Sequence, residues 1–107
     1  MNKYVFIQSR DPFASRDADF LEATAMAARE RGHEVTVFLV QNGVLAARAG
    51  ARRLGRLLEA GVTLLADDLS LRERGITAEE IVAGVQEAGI GALVDAIAQN
   101  KTKAIWH

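Results

Sequence analysis

The stretch Val62–Ile76, VTLLADDLSLRERGI, decides how the rest of the chain is read. It opens on an apolar run, VTLLA over 62–66, held between Gly61 and the pair Asp67 and Asp68. A short apolar run bounded in this way is the pattern of a buried strand. The stretch continues as LSLRER over 69–74 and stops at Gly75, which suits a short helix ended by a glycine C-cap. Two acidic residues therefore stand at a strand-to-helix junction. In a parallel α/β sheet that junction borders the crevice in which ligands bind.

Working back towards the start, KYVFIQ over 3–8 and EVTVFLV over 34–40 are further runs rich in strand formers. Between them, Asp17 to Arg31 reads as a helix. Acidic Asp17, Asp19 and Glu22 lie near its start, and Arg29 and Arg31 near its end, as the helix dipole favours. Phe20, Leu21, Thr24, Ala27 and Ala28 recur at helical spacing and predict its buried stripe. Val44 to Ala60 is helical in character but broken by Gly50 and Gly55, with Leu54, Leu57 and Leu58 on its apolar side. Arg48, Arg52 and Arg56 fall at i, i+4 spacing and predict a basic ridge. That ridge suits either an acidic partner or a solvated face balanced by nearby acids.

Beyond Gly75, Thr77 and Glu80 have the spacing of a capping box, opening a short helix through Ala83. Val85 to Ala88 reads as a short fourth strand, although periodicity allows one continuous helix there. Ile90 to Gln99 is helical, with Leu93, Val94 and Ile97 as its expected apolar face. Lys103 to His107 closes the chain as a fifth strand. Strands alternate with helices throughout, which predicts a single α/β domain over 1–107, its sheet parallel and covered by helices on both faces.

Composition narrows the function. The chain has 107 residues, of which 50% are hydrophobic, enough for a compact core. Its formal net charge of −1 gives no electrostatic footprint for nucleic acid or an anionic membrane. No apolar run approaches the roughly 20 residues of a membrane span. Met1 leads straight into a strand-like segment, so a cytoplasmic location is expected. There is no cysteine, which removes disulfides, thiolate metal sites and thiol nucleophiles together. Nothing in the sequence calls for a cofactor or a metal.

Candidate site residues follow from the strand ends. Gln8, Ser9 and Arg10 follow the first strand, in a polar loop whose arginine suits an anion. Asn42 and Gly43 follow the second, and Gly43 permits either a positive φ or a close backbone approach. Asp67 and Asp68 follow the third. A carboxylate at Asp67 suits an acid, a base, a cation ligand or a plain helix cap. Adjacent Asp67 and Asp68 do not make a catalytic pair by themselves, because neighbouring side chains diverge. His33 precedes the second strand and so lies at the opposite, amino edge.

The order and spacing of these pieces resemble the DsrE/DsrF-like family. The segments that carry the likeness are RGHEV over 31–35, VTVFLVQNGV over 35–44, SLRERGI over 70–76, Gly84-Val85 and the helix around Leu93–Asp95. The resemblance spans essentially the whole chain. It implies a five-stranded parallel sheet in a three-layer α/β/α sandwich, and trimers or hexamers, some of mixed subunits. It also implies sulfur-relay protein partners, since relay members carry a persulfide on a cysteine. That cysteine stands eight residues before the glycine of the Arg-Gly-Ile segment, and here the position is Asp67. A carboxylate cannot hold a persulfide or exchange sulfur with a thiolate. The chain therefore reads as a non-catalytic, homo-oligomeric member, or as a binding protein or enzyme using the same crevice.

Overall fold

The computed structural model describes residues 2–13, 17–48, 54–99 and 102–106. Gly50, Ala51 and Arg52 of the second connection and the terminal His107 lie outside the described residues. The strands are β1 (Lys3–Gln8), β2 (Glu34–Leu39), β3 (Thr63–Asp67), β4 (Val85–Ala88) and β5 (Thr102–Trp106). The helices are α1 (Asp17–Glu30), α2 (Gly55–Glu59), α3 (Asp68–Glu73) and α4 (Ile90–Ala98). A 3-10 segment, Gln41–Ala47, follows β2.

All pairings are parallel, in the order β4-β3-β2-β1-β5. The chain steps from β1 to β4 in one direction across the sheet, then returns past β1 to place β5. With one handedness of crossover, the first three connections share a face and the fourth takes the other. The cores follow that division. On the first face Phe6, Val35, Val37, Leu39, Leu64 and Ala66 of the strands pack with Leu21 and Ala25 of α1, Leu57 of α2 and Leu71 of α3. On the second face Val5, Ile7, Phe38 and Val40 pack with Leu93 of α4. Phe6 and Phe38 are both fully enclosed, and each such side chain contributes about 1.5–3 kcal/mol by leaving water. β1 is buried on both faces from Val5 to Gln8, which is why its centre carries no polar alternation.

Four helical expectations need correction. On α1 the buried positions are Leu21 and Ala25, while Phe20 is 64% exposed and Ala27 is exposed. The stripe is rotated because the helix lies over β1 and β2 by its Leu21–Ala25 side. On α4 only Leu93 is buried, and Val94 and Ile97 face away from the sheet. That helix is apolar everywhere but at Asp95, so periodicity narrows its inner face only weakly. The connection after β2 runs as the 3-10 segment and then α2, and the basic ridge expected along it does not begin at Arg48. Arg48 is extended, at φ −63° and ψ 137°, and bridges antiparallel to Ile81. Arg48 and Arg56 therefore do not share one helix face. The expected short helix after Thr77 is a single 3-10 turn, Ala78–Glu80.

Candidate functional site

The crevice at the carboxyl edge is set by the topology. The chain leaves β3 towards α3 on the first face and leaves β4 towards α4 on the second. The two exits part there, which is the place where a parallel α/β sheet can hold a ligand. Asp67 and Asp68 stand on one side. Gly89, the N-cap of α4, stands on the other, where an added Cβ would lie 4.0 Å from Asp68 Oδ2.

Asp67 is built into this edge. It ends β3 in extended conformation, at φ −63° and ψ 122°, and is the N-cap of α3. Its Oδ2 accepts from the Ser70 backbone N–H at 3.0 Å and from Ser70 Oγ at 2.7 Å. Ser70 Oγ in turn accepts from the Gln41 backbone N–H at 2.8 Å. The single hydroxyl hydrogen of Ser70 is thus spent on Asp67, and the serine oxygen ties the end of β2 to α3. Gln41 holds a positive φ of 50°, a left-handed conformation uncommon outside glycine. Asp67 is 9% exposed and Ser70 4%. A buried carboxylate with two donors at a helix start is satisfied both by hydrogen bonding and by the dipole.

The second junction is also tied down. Arg74 Nε donates to Asn42 Oδ1 at 3.1 Å, and its Nη1 donates to the Ser70 carbonyl at 3.2 Å. Gly75 takes φ +67° and ends α3. Gly43 serves close approach rather than a left-handed turn. A Cβ there would overlap the carbonyl oxygen of Gln8. The backbone after β2 therefore lies directly on the end of β1.

The candidates divide into groups. Asp67 and Asn42 belong to one linked network through Ser70, Gln41 and Arg74. Gly43 and Gln8 touch through backbone. Asp68 is half-buried and faces Gly89. Ser9 is half-buried and Arg10 exposed, both just past the end of β1. Gln8 is 1% exposed, yet its Nε2 and Oε1 find no hydrogen-bond partner among the described residues. Ser70, Gln41 and Arg74 escaped sequence reasoning. The Asp-x-x-Ser spacing at 67–70 was the available signal for the first, since an N-cap bonds to the third helical residue. Gln41 contributes only its backbone, which no side-chain pattern reveals. Among the described residues, no three His, Asp or Glu side chains gather as a metal site would require, and no helix is long and apolar enough to cross a membrane.

The comparisons agree with this architecture. The family model described as the DsrE/DsrF-like family matches residues 2–103. Among solved structures, the chain is similar to the ychN protein from E. coli, at 20% identity and a TM-score of 0.86 over 98% of this chain and 100% of that one. It is similar to MTH1491 from Methanobacterium thermoautotrophicum, a protein of unknown function, at 20% identity and a TM-score of 0.80 over 100% of both chains. BT1422 from Bacteroides thetaiotaomicron, likewise of unknown function, gives 19% identity and a TM-score of 0.80 over 99% of this chain and 95% of that one. At such identities the likeness is one of fold. No functionally curated protein matches the sequence.

Proposed function

The chain belongs to the DsrE/DsrF-like family, and from its lack of any cysteine we propose that it is a non-catalytic, homo-oligomeric member associated with sulfur handling, without persulfide transfer of its own. One observation carries the reading. The position given to the sulfur-bearing cysteine by the family resemblance holds Asp67, whose carboxylate is occupied as the cap of α3. The Ser70 amide that would steady a thiolate at this helix start is instead taken by the Asp67 side chain. Such a residue keeps the architecture of the junction while removing its sulfur chemistry.

Assembly draws support from the second face. Ile90 and Val94 of α4 are each 60% exposed, Ile97 of the same helix is also exposed, and Trp106 of β5 stands open. Exposed large apolar side chains on one face are what a subunit contact covers, and closed symmetry is its ordinary outcome. The trimers or hexamers implied by the family resemblance fit such a surface. In the 3-10 segment after β2, Val44, Ala46 and Ala47 are buried within the chain itself and add nothing to such a surface.

A ligand-binding reading of the same edge, with Asp67 as an acid, base or ligand, rests on Gln8. A buried amide without partners is uncommon, and a bound polar group would satisfy it. Two measurements test the proposal, of the chain's sulfur chemistry and of its assembly. The purified protein is treated with a persulfide donor and its intact mass measured, alongside Asp67→Cys. The native chain should gain no sulfur. Stoichiometric sulfur on the native chain overturns the proposal, and loading of Asp67→Cys alone would mark the junction as still competent. Light scattering should give a mass well above the 11.6 kDa chain. A clean monomer removes the oligomer and leaves the ligand-binding reading.

A further inference from the structure

α1 does not span the whole face it covers. It packs over β1 and β2, while β5 lies one strand further out, at the sheet edge. A trough of about 270 Å³ remains between the helix and that edge. Tyr4, Phe6 and Ile105 line it from the sheet, and Ala27 and Ala28 line it from the helix. The alanines are small enough to leave Tyr4 and Ile105 half-buried, with Phe6 enclosed beneath. Tyr4 and Phe6 stack along the trough floor, with ring centres 6.2 Å apart and planes inclined by 26°.

The polar groups around the trough share one character. Arg31 and His33 stand at its margin. Lys103 Nζ lies 5.9 Å from the centre of the Tyr4 ring. The Arg31 guanidinium enters no hydrogen bond or ion pair among the described residues. His33 sits edge-on to Tyr4, with ring centres 5.2 Å apart and planes at 68°. Its Nδ1 accepts from the Asn2 backbone N–H at 3.1 Å, so the neutral ring carries its hydrogen on Nε2. No carboxylate is among the residues that line the trough.

We propose that this trough binds a small aromatic monoanion of the aryl carboxylate class, its ring against Tyr4 and Ile105 and its carboxylate held by Arg31 and the Nε2–H of His33. The apolar floor favours an aromatic body over a bare inorganic anion. The cationic margin favours a carboxylate over a neutral ring or an amine, since guanidinium and carboxylate match in two parallel bonds. The volume lies just below the range of roughly 300–1,000 Å³ typical of small-molecule pockets, which suits one ring rather than two. This site is at the amino ends of β1 and β2, away from the crevice, and does not depend on the function proposed there. It gives His33 a binding role that its position at the amino edge argued against.

Titration of the isotope-labelled protein with benzoate, and with benzyl alcohol as a neutral counterpart, tests the proposal by NMR. Benzoate should produce saturable shifts at Tyr4, Ala27, Ala28 and His33 while Ser70 stays still. Arg31→Gln, at an exposed position, should weaken benzoate about tenfold and leave benzyl alcohol unchanged. Ala28→Leu should fill the trough and abolish both. Unsaturable shifts, shifts centred elsewhere, or benzoate binding unaltered by Arg31→Gln would overturn it. If Ala28→Leu loses its fold by circular dichroism, Arg31→Gln decides alone.

Discussion

The two faces of the sheet are built to different standards. On the first, three helices and a 3-10 segment close over strands whose inward side chains are almost wholly buried. On the second, one nine-residue helix rests on Leu93, and its outer side leaves Ile90, Val94 and Ile97 exposed beside Asp95. The first face is finished within the chain except at the trough beside β5. The second presents the surface expected of an element that something else will cover. A single count of hydrophobic residues hides this difference, because it lies in which side chains a neighbour already touches.

The largest test of that contrast is Phe6→Ala, which empties a fully enclosed position on the first face. It should cost about 3–5 kcal/mol in urea unfolding. A loss below one kcal/mol would mean that this face is looser than its burial implies. Next come two glycines. Gly43→Ala drives a methyl into the Gln8 carbonyl and should cost about 1–3 kcal/mol by thermal unfolding. Gly91→Ala, in α4 with open space around it, should instead stabilise by about 0.5–1 kcal/mol.

Asp67→Ala should cost about 0.5–2 kcal/mol, and Asp67→Asn markedly less, because asparagine caps helices nearly as well. Equal damage from both would show that the charge itself is needed, and would favour the ligand-binding reading. Val94→Ser, on the open face, should change unfolding of the isolated chain by no more than about 0.5 kcal/mol. Its effect should appear as a lower mass in light scattering at matched concentration. An unchanged mass would move the contact off α4.

The smallest effect concerns the turn after α3. Glu80 Oε1 accepts from the Thr77 backbone N–H at 3.1 Å and from Thr77 Oγ1 at 3.0 Å, and these bonds hold its carboxyl below the usual carboxylate range. The folded state thus binds this proton more weakly than the unfolded chain. The capping box is fully effective above the ordinary carboxylate pKa and is lost as pH falls through the lowered value. Amide exchange at Thr77 and Glu80 should quicken on acidification, and Glu80→Gln should flatten that response.

Much of this was legible in the sequence, for physical reasons that differ by element. The strands announced themselves because a parallel sheet buried on both faces demands continuous apolar runs, as in VFIQ and VTLLA. Asp67 was legible as a cap because its role is local, spanning three residues. The faces of α1 and α4 were misread because rotation of a helix is fixed by its neighbours, and Ala-rich or largely apolar helices leave several rotations equally plausible. Arg48 was misplaced because the 3-10 segment ends there in a bridge to Ile81, a contact between distant parts of the chain. The trough beside β5 had no sequence signature, since it depends on a helix stopping short of the edge.

The order of the strands also sets a timetable. β1 to β4 lie side by side in the order in which they are made, so each can join the last as the chain emerges. β5 cannot. Its place is on the outer side of β1, with Lys3 opposite Thr102, so that pairing closes nearly the whole chain into a loop. Contacts between such distant partners form late, after most of the ordering entropy has been spent. Until then the outer rim of β1, apolar on both sides, is an unpaired edge able to capture any extended neighbour. Synthesis therefore leaves this domain most exposed to mispairing at its first strand, and what ends that exposure is the arrival of its last.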